Sequence, residues 1–392
     1  MRALMLGSAP GGGKWGTRSL MDLEIPGSRL PGGNVNGVGV AGGAGFPAFL
    51  PKEVHEIKDP FARSLARRIQ RLPVQVGTSE SCIMSSCIKP VIQGDKEPVV
   101  LLHCFDSSCL EWRRTYPLLE DTGVEAWAID ILGWGFSDLG FVFVPCFYFL
   151  LKDSAYFGVP LVCFSSLCSF LAITERRPTC DAASKRYHLY QLWKSYIKRP
   201  MILVGPSLGA AVAIDFAVNF PEAVHKLVLI NASVYGEGTG FMTKLPKMVA
   251  YGGVSLLKSV PLRIYAKLQC FDGLSLSTTL DWTNVGRLHC LLPWWEDAMV
   301  NFMLSGGYNV VHQIKKVNQR TLVIMGMRDK LVSNELAMRL CGELPNCIVH
   351  QIPNSGHLPH VDEPHSVAKL IADFARDDDT CVESYCKIKE DL

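Results

Sequence analysis

Ser207 lies in Gly205-Pro206-Ser207-Leu208-Gly209, a G-x-S-x-G pentapeptide between the apolar run 201–204 and the helical pattern 208–220. A strand that turns tightly into a helix crowds its own backbone, so glycine is required two residues before and after the serine. The turn lifts the hydroxyl above the sheet, and the helix aims its first N–H groups at the same spot. A serine hydroxyl becomes a useful nucleophile only when a base takes its proton and an acid orients that base. After such a turn the expected chain order is serine, acid, histidine. Asp329 follows the apolar run 322–326 in Gly326-Met327-Arg328-Asp329, and His357 follows the segment 347–352 in Asn354-Ser355-Gly356-His357. Both fall in loops at the carboxyl ends of candidate strands, where open α/β sheets bind ligands. The chemistry this predicts is acyl transfer, with Ser207 as nucleophile, His357 as base and Asp329 as its orienting acid. His360 is a rival base three residues on, but the Gly-His pair favours His357. Asp130 ends a strand yet precedes the nucleophile.

Positioning these groups requires a particular scaffold. Unalternated apolar runs at 99–102, 125–129, 201–204, 227–230 and 322–325 suit strands buried on both faces of a parallel sheet. Helical patterns at 187–197, 208–220, 334–344 and 365–376 alternate with them. The expected class is α/β, a doubly wound, mostly parallel sheet. The Trp- and Leu-rich stretch 234–316 breaks the alternation and reads as an inserted helical cap. It offers Trp282, His289, Trp294 and Trp295. Aromatic side chains over a pocket would suit a bulky apolar acyl or terpenoid-like group, although ordinary cap packing is the stronger reading.

Over 97–376 the chain resembles the α/β-hydrolase superfamily. The residues that carry the likeness are Leu102-His103-Cys104-Phe105-Asp106, the segment from Asp130-Ile131-Leu132-Gly133 to Trp134-Gly135-Phe136-Ser137-Asp138, the serine turn, and Gly356-His357-Leu358-Pro359-His360. It is closest to cap-bearing hydrolases of plants, some of them plastid-targeted. The resemblance implies a serine esterase that needs no metal or dissolved cofactor. It implies an oxyanion hole made by the backbone N–H groups of Phe105 and Leu208. The usual His-Gly is His103-Cys104 here. His103 is expected to hold the oxyanion loop and, with Trp282, Trp294 and Trp295, is a candidate substrate contact. Some relatives carry the acid after the strand that follows the serine; that position is Asn231, which cannot hold an imidazolium by charge. Relatives that open epoxides or remove halides use an aspartate nucleophile, and Ser207 argues against both. A ligand-binding receptor with slow turnover and an acyltransferase remain alternatives to the hydrolase.

Composition sets the outer bounds. The 392 residues are 48% apolar and 19% charged with a formal charge of +2, which excludes wholesale disorder and gives no reason to expect nucleic acid. The expected partner is a small apolar ester. Fourteen cysteines without a CxxC pair read as thiols in a reducing compartment. The first fifty residues hold 13 of the 34 glycines and lean basic. Residues 1–70 are therefore expected to be a chloroplast transit peptide or a disordered leader, ahead of a hydrolase domain at 74–376 and a polar tail at 377–392. Asp138 and Tyr187 are separated by 48 residues, far beyond an ordinary connection. Most of the excess is 140–174, with seven phenylalanines and only Lys152 and Asp153 charged. Its thymine-rich codon character and frame-keeping length favour a translated intron, while peripheral membrane contact through 141–173 is the alternative.

Overall fold

The computed structural model describes residues 45–76, 81–94, 96–143 and 178–377. Among these residues nine strands form one sheet: β1 Gln70–Gln75, β2 Ser81–Ile88, β3 Val99–Leu101, β4 Ala126–Ile129, β5 Asp138–Phe143, β6 Met201–Pro206, β7 Val224–Ile230, β8 Arg320–Gly326 and β9 Cys347–Ile352. Their order is β1-β2-β4-β3-β6-β7-β8-β9, with β5 also paired to β2. From β4 to β9 along that order the pairs are parallel, whereas β2 runs antiparallel to β1, β4 and β5. Every residue of β4 and β6 is buried, which is why these strands read as continuous apolar runs. The chain works outward in opposite directions from β3 and β6, so a crevice opens between their carboxyl ends.

Helices cover both faces. They are α1 Pro60–Ala66, α2 Thr115–Asp121, α3 Ala182–Leu192 and α4 Leu208–Asn219, the last following β6 directly. Helix α4 is buried from Gly209 to Ala217, and its Gly209, Ala210, Ala211 and Ala213 let it lie close to the sheet. Between β7 and β8 the chain leaves the sheet for α5 Lys247–Leu257, α6 Val260–Cys270, α7 Leu276–Arg287 and α8 Trp295–Leu304. These four helices fall within 234–316. Helices α9 Asn334–Glu343, α10 Pro359–Asp362 and α11 Pro364–Arg376 complete the fold.

Three boundaries differ from the sequence reading. Residues 46–69, inside the expected leader, belong to the packed fold, because Leu50, Val54, Ile57, Leu65 and Ile69 are apolar side chains buried in the core. The buried pair Asp59–Arg113 (2.7 Å) fastens this segment to the rest. Residues 140–143 belong to β5, with Val142 opposite Cys82 and Phe143 opposite Ser81. The anomalous segment therefore starts within a paired strand, and its remainder, 144–174, lies outside the described residues. Asp377, assigned to the polar tail, is tied to the fold: its carboxylate accepts from Arg320 and its carbonyl from Lys226 (both 2.6 Å). Residues 1–44, with the greater part of the expected leader, and 378–392 also lie outside the described residues.

Candidate active site

Ser207 adopts φ 51° and ψ −118° between β6 and α4, a left-handed conformation that costs energy for a residue with a side chain. Neighbouring bonds hold it there. Its N–H donates to Ile230 O (2.9 Å), and its carbonyl accepts from Ser233 N–H (3.2 Å). A Cβ on Gly205 would stand 2.3 Å from Gly209 O, so the two glycines of the motif lie against one another. A Cβ on Gly209 would stand 2.7 Å from His103 O, which puts the loop after β3 directly beside the turn.

Three distant side chains meet over this turn. His357 Nε2 lies 2.8 Å from Ser207 Oγ, and His357 Nδ1 lies 2.8 Å from Asp329 Oδ2. The second Asp329 oxygen accepts from Leu331 and Val332 N–H (2.7 and 3.1 Å), fixing the carboxylate so that one oxygen faces the ring. A carboxylate can only accept, so Nδ1 carries the proton and Nε2 is free to accept from the serine hydroxyl. Asn231, at φ 41°, is buried at the end of β7. Its amide donates to Gly356 O and accepts from Gly326 N–H (2.8 Å each), clamping the acid loop to the histidine loop. His357 N–H donates to Cys270 O at the end of α6 (2.8 Å), so the inserted helices also hold the histidine.

The loop 103–106 is anchored on both sides of Phe105. His103 is fully buried; Ile131 N–H donates to its Nε2 (3.0 Å), and Nδ1 donates to Cys104 O (2.7 Å). Burial lowers its pKa, in keeping with a neutral ring. With both nitrogens spent on backbone it has none to offer a substrate, which corrects its reading as a substrate contact. Cys104 N–H donates to Glu111 (3.2 Å), whose carboxylate also meets His360 Nε2 (3.0 Å). The rival base His360 is thus committed to Glu111 and packed, tilted, against Trp112 (4.4 Å between ring centres). Burial pushes the Cys104 thiol far up, which disfavours a thiolate there. Asp106, at φ 49°, is bound by the Arg263 guanidinium, by His289 Nε2 (2.9 Å) and by Trp295 Nε1 (2.8 Å). Burial opposes its charge, but Arg263 and His289 outweigh burial and hold the carboxyl well below the usual range. Leu208 is the first residue of α4, so its N–H is one of the donors that a helix leaves without an internal partner.

The tryptophans are explained by packing. Trp295 serves Asp106, and Trp282 lies under the Arg113 guanidinium (3.1 Å to the ring centre) and edge-on to Phe271. Trp294 is half-buried between the two main apolar clusters. These contacts match ordinary packing, the stronger of the two readings the sequence offered. An aromatic group that the sequence did not single out borders the loop 103–106: Phe105 stands edge-on to Trp134 (5.4 Å), and Phe302 packs on both. Asp130, the discarded acid, accepts from Cys109 and Phe136 N–H (2.6 and 2.8 Å) and from Ser86 Oγ. Asp106, His289 and Cys290 bring three potential ligand atoms within 4.8 Å of one another. Arg263 already occupies that carboxylate, a cationic neighbour at odds with a metal ion.

Comparison with known proteins places the fold. The model of the Alpha/beta hydrolase family matches residues 99–370. The chain is 57% identical over 338 residues to alpha/beta hydrolase domain-containing protein VTE7 of Arabidopsis thaliana, covering 86% of this chain and 92% of that one. It is 24% identical over 295 residues to a 2-hydroxy-6-oxononadienedioate/2-hydroxy-6-oxononatrienedioate hydrolase of Paraburkholderia phymatum, covering 71% and 87%. The structure of a thermophilic esterase from Thermogutta terrifontis shares the fold, with a TM-score of 0.57 at 16% identity over 78% of this chain and 98% of that one. The family match spans the serine turn, the acid loop and the histidine loop, and on that ground the chain belongs to the alpha/beta hydrolase family.

Proposed function

We propose that this hydrolase cleaves a carboxylic ester or thioester of a small apolar substrate through an acyl-enzyme on Ser207. The observation that carries the reading is the unbroken relay from Ser207 Oγ through His357 to Asp329, with both links at 2.8 Å. Ser207 attacks the acyl carbonyl as His357 Nε2 takes its proton, and Asp329 holds the imidazolium that forms. The negative oxygen is received by the N–H groups of Phe105 and Leu208. The imidazolium then gives its proton to the departing alcohol or thiol. Water attacks the acyl-enzyme with its proton passing to His357, and the acid leaves with Ser207 restored. The aromatic group Phe105, Trp134 and Phe302 beside one oxyanion donor supports an apolar acyl chain. For its compartment we propose the chloroplast, from the glycine-rich, basic-leaning first fifty residues.

Labelling with a fluorophosphonate, followed by turnover of an activated ester by Ser207→Ala, tests this reading. Labelling should fall on Ser207, and the variant should lose on the order of 10³ or more in kcat with its melting temperature kept. Near-full turnover by Ser207→Ala would refute it.

A further inference from the structure

Helix α5 is apolar on both sides. Ala250 and Val254 face inward and are buried. Met248, Val249, Gly252 and Leu256 share the opposite stripe by helical spacing, and Met248 is 83%, Leu256 65% and Val249 54% exposed. A helix that is apolar all round is normally covered all round. The pattern extends to both neighbours. Phe241, in the 3-10 turn before α5, is 66% exposed, and Tyr265 and Leu268 project from α6 on the side away from Arg263 and Cys270. The exposed side of α6 is therefore the back of the helix whose other side reaches Asp106 and the His357 backbone.

Charge indicates what covers this face. From Gly238 to Phe271 the chain has no Asp or Glu, and it has Lys244, Lys247, Lys258, Arg263 and Lys267. Arg263 is balanced by Asp106 and Lys258 by Glu296, contributed from outside the stretch. Lys244 and Lys247 are exposed and follow Phe241 and precede Met248 in the chain, so their long side chains flank that face. Exposed apolar side chains flanked by lysines, on short helices, match a surface that lies in the headgroup layer of an anionic bilayer. Among the described residues no helix is long and apolar enough to cross a membrane. We propose that the 241–268 face of the inserted helices docks on an anionic lipid surface, with Phe241, Met248, Val249 and Leu256 entering the headgroup layer and Lys244 and Lys247 meeting lipid phosphates. The face would bring the helices that hold the oxyanion and histidine loops to the membrane, where apolar esters partition. The docking claim stands apart from the esterase reading, because vesicles report the face and a water-soluble ester reports the serine.

The test is co-sedimentation of the full chain with vesicles of equal parts phosphatidylglycerol and phosphatidylcholine, against phosphatidylcholine alone, at low and high salt. The parent should sediment with the anionic vesicles and be released by salt. Lys244→Gln/Lys247→Gln should weaken binding by about fivefold per lysine at low salt. Met248→Glu/Leu256→Glu should abolish it, with melting temperature and turnover of a water-soluble ester kept. Three results would overturn the proposal. The parent could ignore anionic vesicles. Both variants could bind as the parent does, which would move the contact to another segment such as 144–177. Or light scattering could show a parent dimer that Met248→Glu/Leu256→Glu dissolves while vesicles bind neither protein, making a second copy the occupant.

Discussion

Replacing Asp106 with asparagine should separate the positioning of the oxyanion loop from the stability of the fold. The Asp106 and Arg263 side chains are 9% and 11% exposed, and the carboxylate is also bound by His289 and Trp295. Asparagine is nearly isosteric and keeps an acceptor for Trp295 or His289. It removes the charge and can turn an NH₂ toward the guanidinium. Removing one partner of a buried pair costs about 3–5 kcal/mol. Arg263 Nε keeps its bond to Leu257 O (2.8 Å), so the lower end, about 3 kcal/mol, is the expected loss. The kinetic effect has a different origin. Asp106 follows Phe105 and fastens it to the inserted helices, so an untethered loop lets the Phe105 N–H drift from the developing oxyanion. Losing one such donor lowers kcat by about 10²–10³-fold. Urea unfolding and steady-state kinetics on a soluble activated ester measure the two effects, with KM expected to change far less than kcat. Asp106→Asn/Arg263→Met removes the stranded cation, so it should regain stability without regaining kcat. If Asp106→Asn lost the expected stability but turned over as fast as the parent, the tether would have no part in placing the donor.

Other perturbations follow from the same geometry. Burial pushes the pKa of His188, bonded to Ser85 (3.0 Å), down from 6.5 to about 3. The unfolded chain therefore takes up a proton that the native state refuses, and stability contributed by the neutral ring is lost as pH falls from 6.5 toward 3. The full effect is ~5 kcal/mol, and His188→Gln should flatten the acid limb of a melting-temperature profile. An identical limb in that variant would remove His188 as its source. Gly205→Ala places a Cβ 2.3 Å from Gly209 O and 2.7 Å from Ala210 N, backbone atoms that cannot step aside. It should abolish fluorophosphonate labelling and lower the melting temperature. Gly342→Ala on α9 meets nothing within 4 Å and should instead stabilise by about 0.5–1 kcal/mol, an opposite pair readable in one thermal-shift series.

What the sequence disclosed follows from the range over which each constraint acts. The serine turn is a local backbone demand, so two glycines between an apolar run and a helix expose it within five residues. The acid and histidine are topological demands, met at the ends of consecutive parallel strands, so chain order pointed to their loops and the Gly356-His357 pair separated His357 from His360. Strands β1, β2 and β5 were missed because their antiparallel pairing leaves mixed patterns such as Gln70-Arg71-Leu72-Pro73, with no continuous apolar run to mark them. The segment 46–69 was assigned to the leader because its glycine-rich predecessor set the composition, although Leu50, Val54 and Ile57 already alternate with charge. Both readings of the tryptophans stay open in the sequence because an aromatic residue looks alike there whether it borders a ligand or receives a guanidinium.

The oxyanion loop shows why the remaining support was illegible. Asp106 meets Arg263, His289 and Trp295 at separations of 157, 183 and 189 residues, and Glu111 meets His360 at 249. Asp106 and His360 stand in short motifs, but no motif pairs them with Arg263, His289, Trp295 or Glu111. The same contacts account for the departure at Cys104, where the family pattern leaves the position bare. Its side chain is buried against Phe271, Trp282, Leu358 and Val361, and its N–H is held by Glu111. A glycine there would be free to bend. Cysteine restricts the backbone and anchors the loop in an apolar socket lined by Phe271, Trp282 and the residues after His357. Phe105 is thus held by His103 and Cys104 on one side and by Asp106 on the other. A donor needs that preorganisation if it is to stabilise charge without rearranging at the moment of reaction.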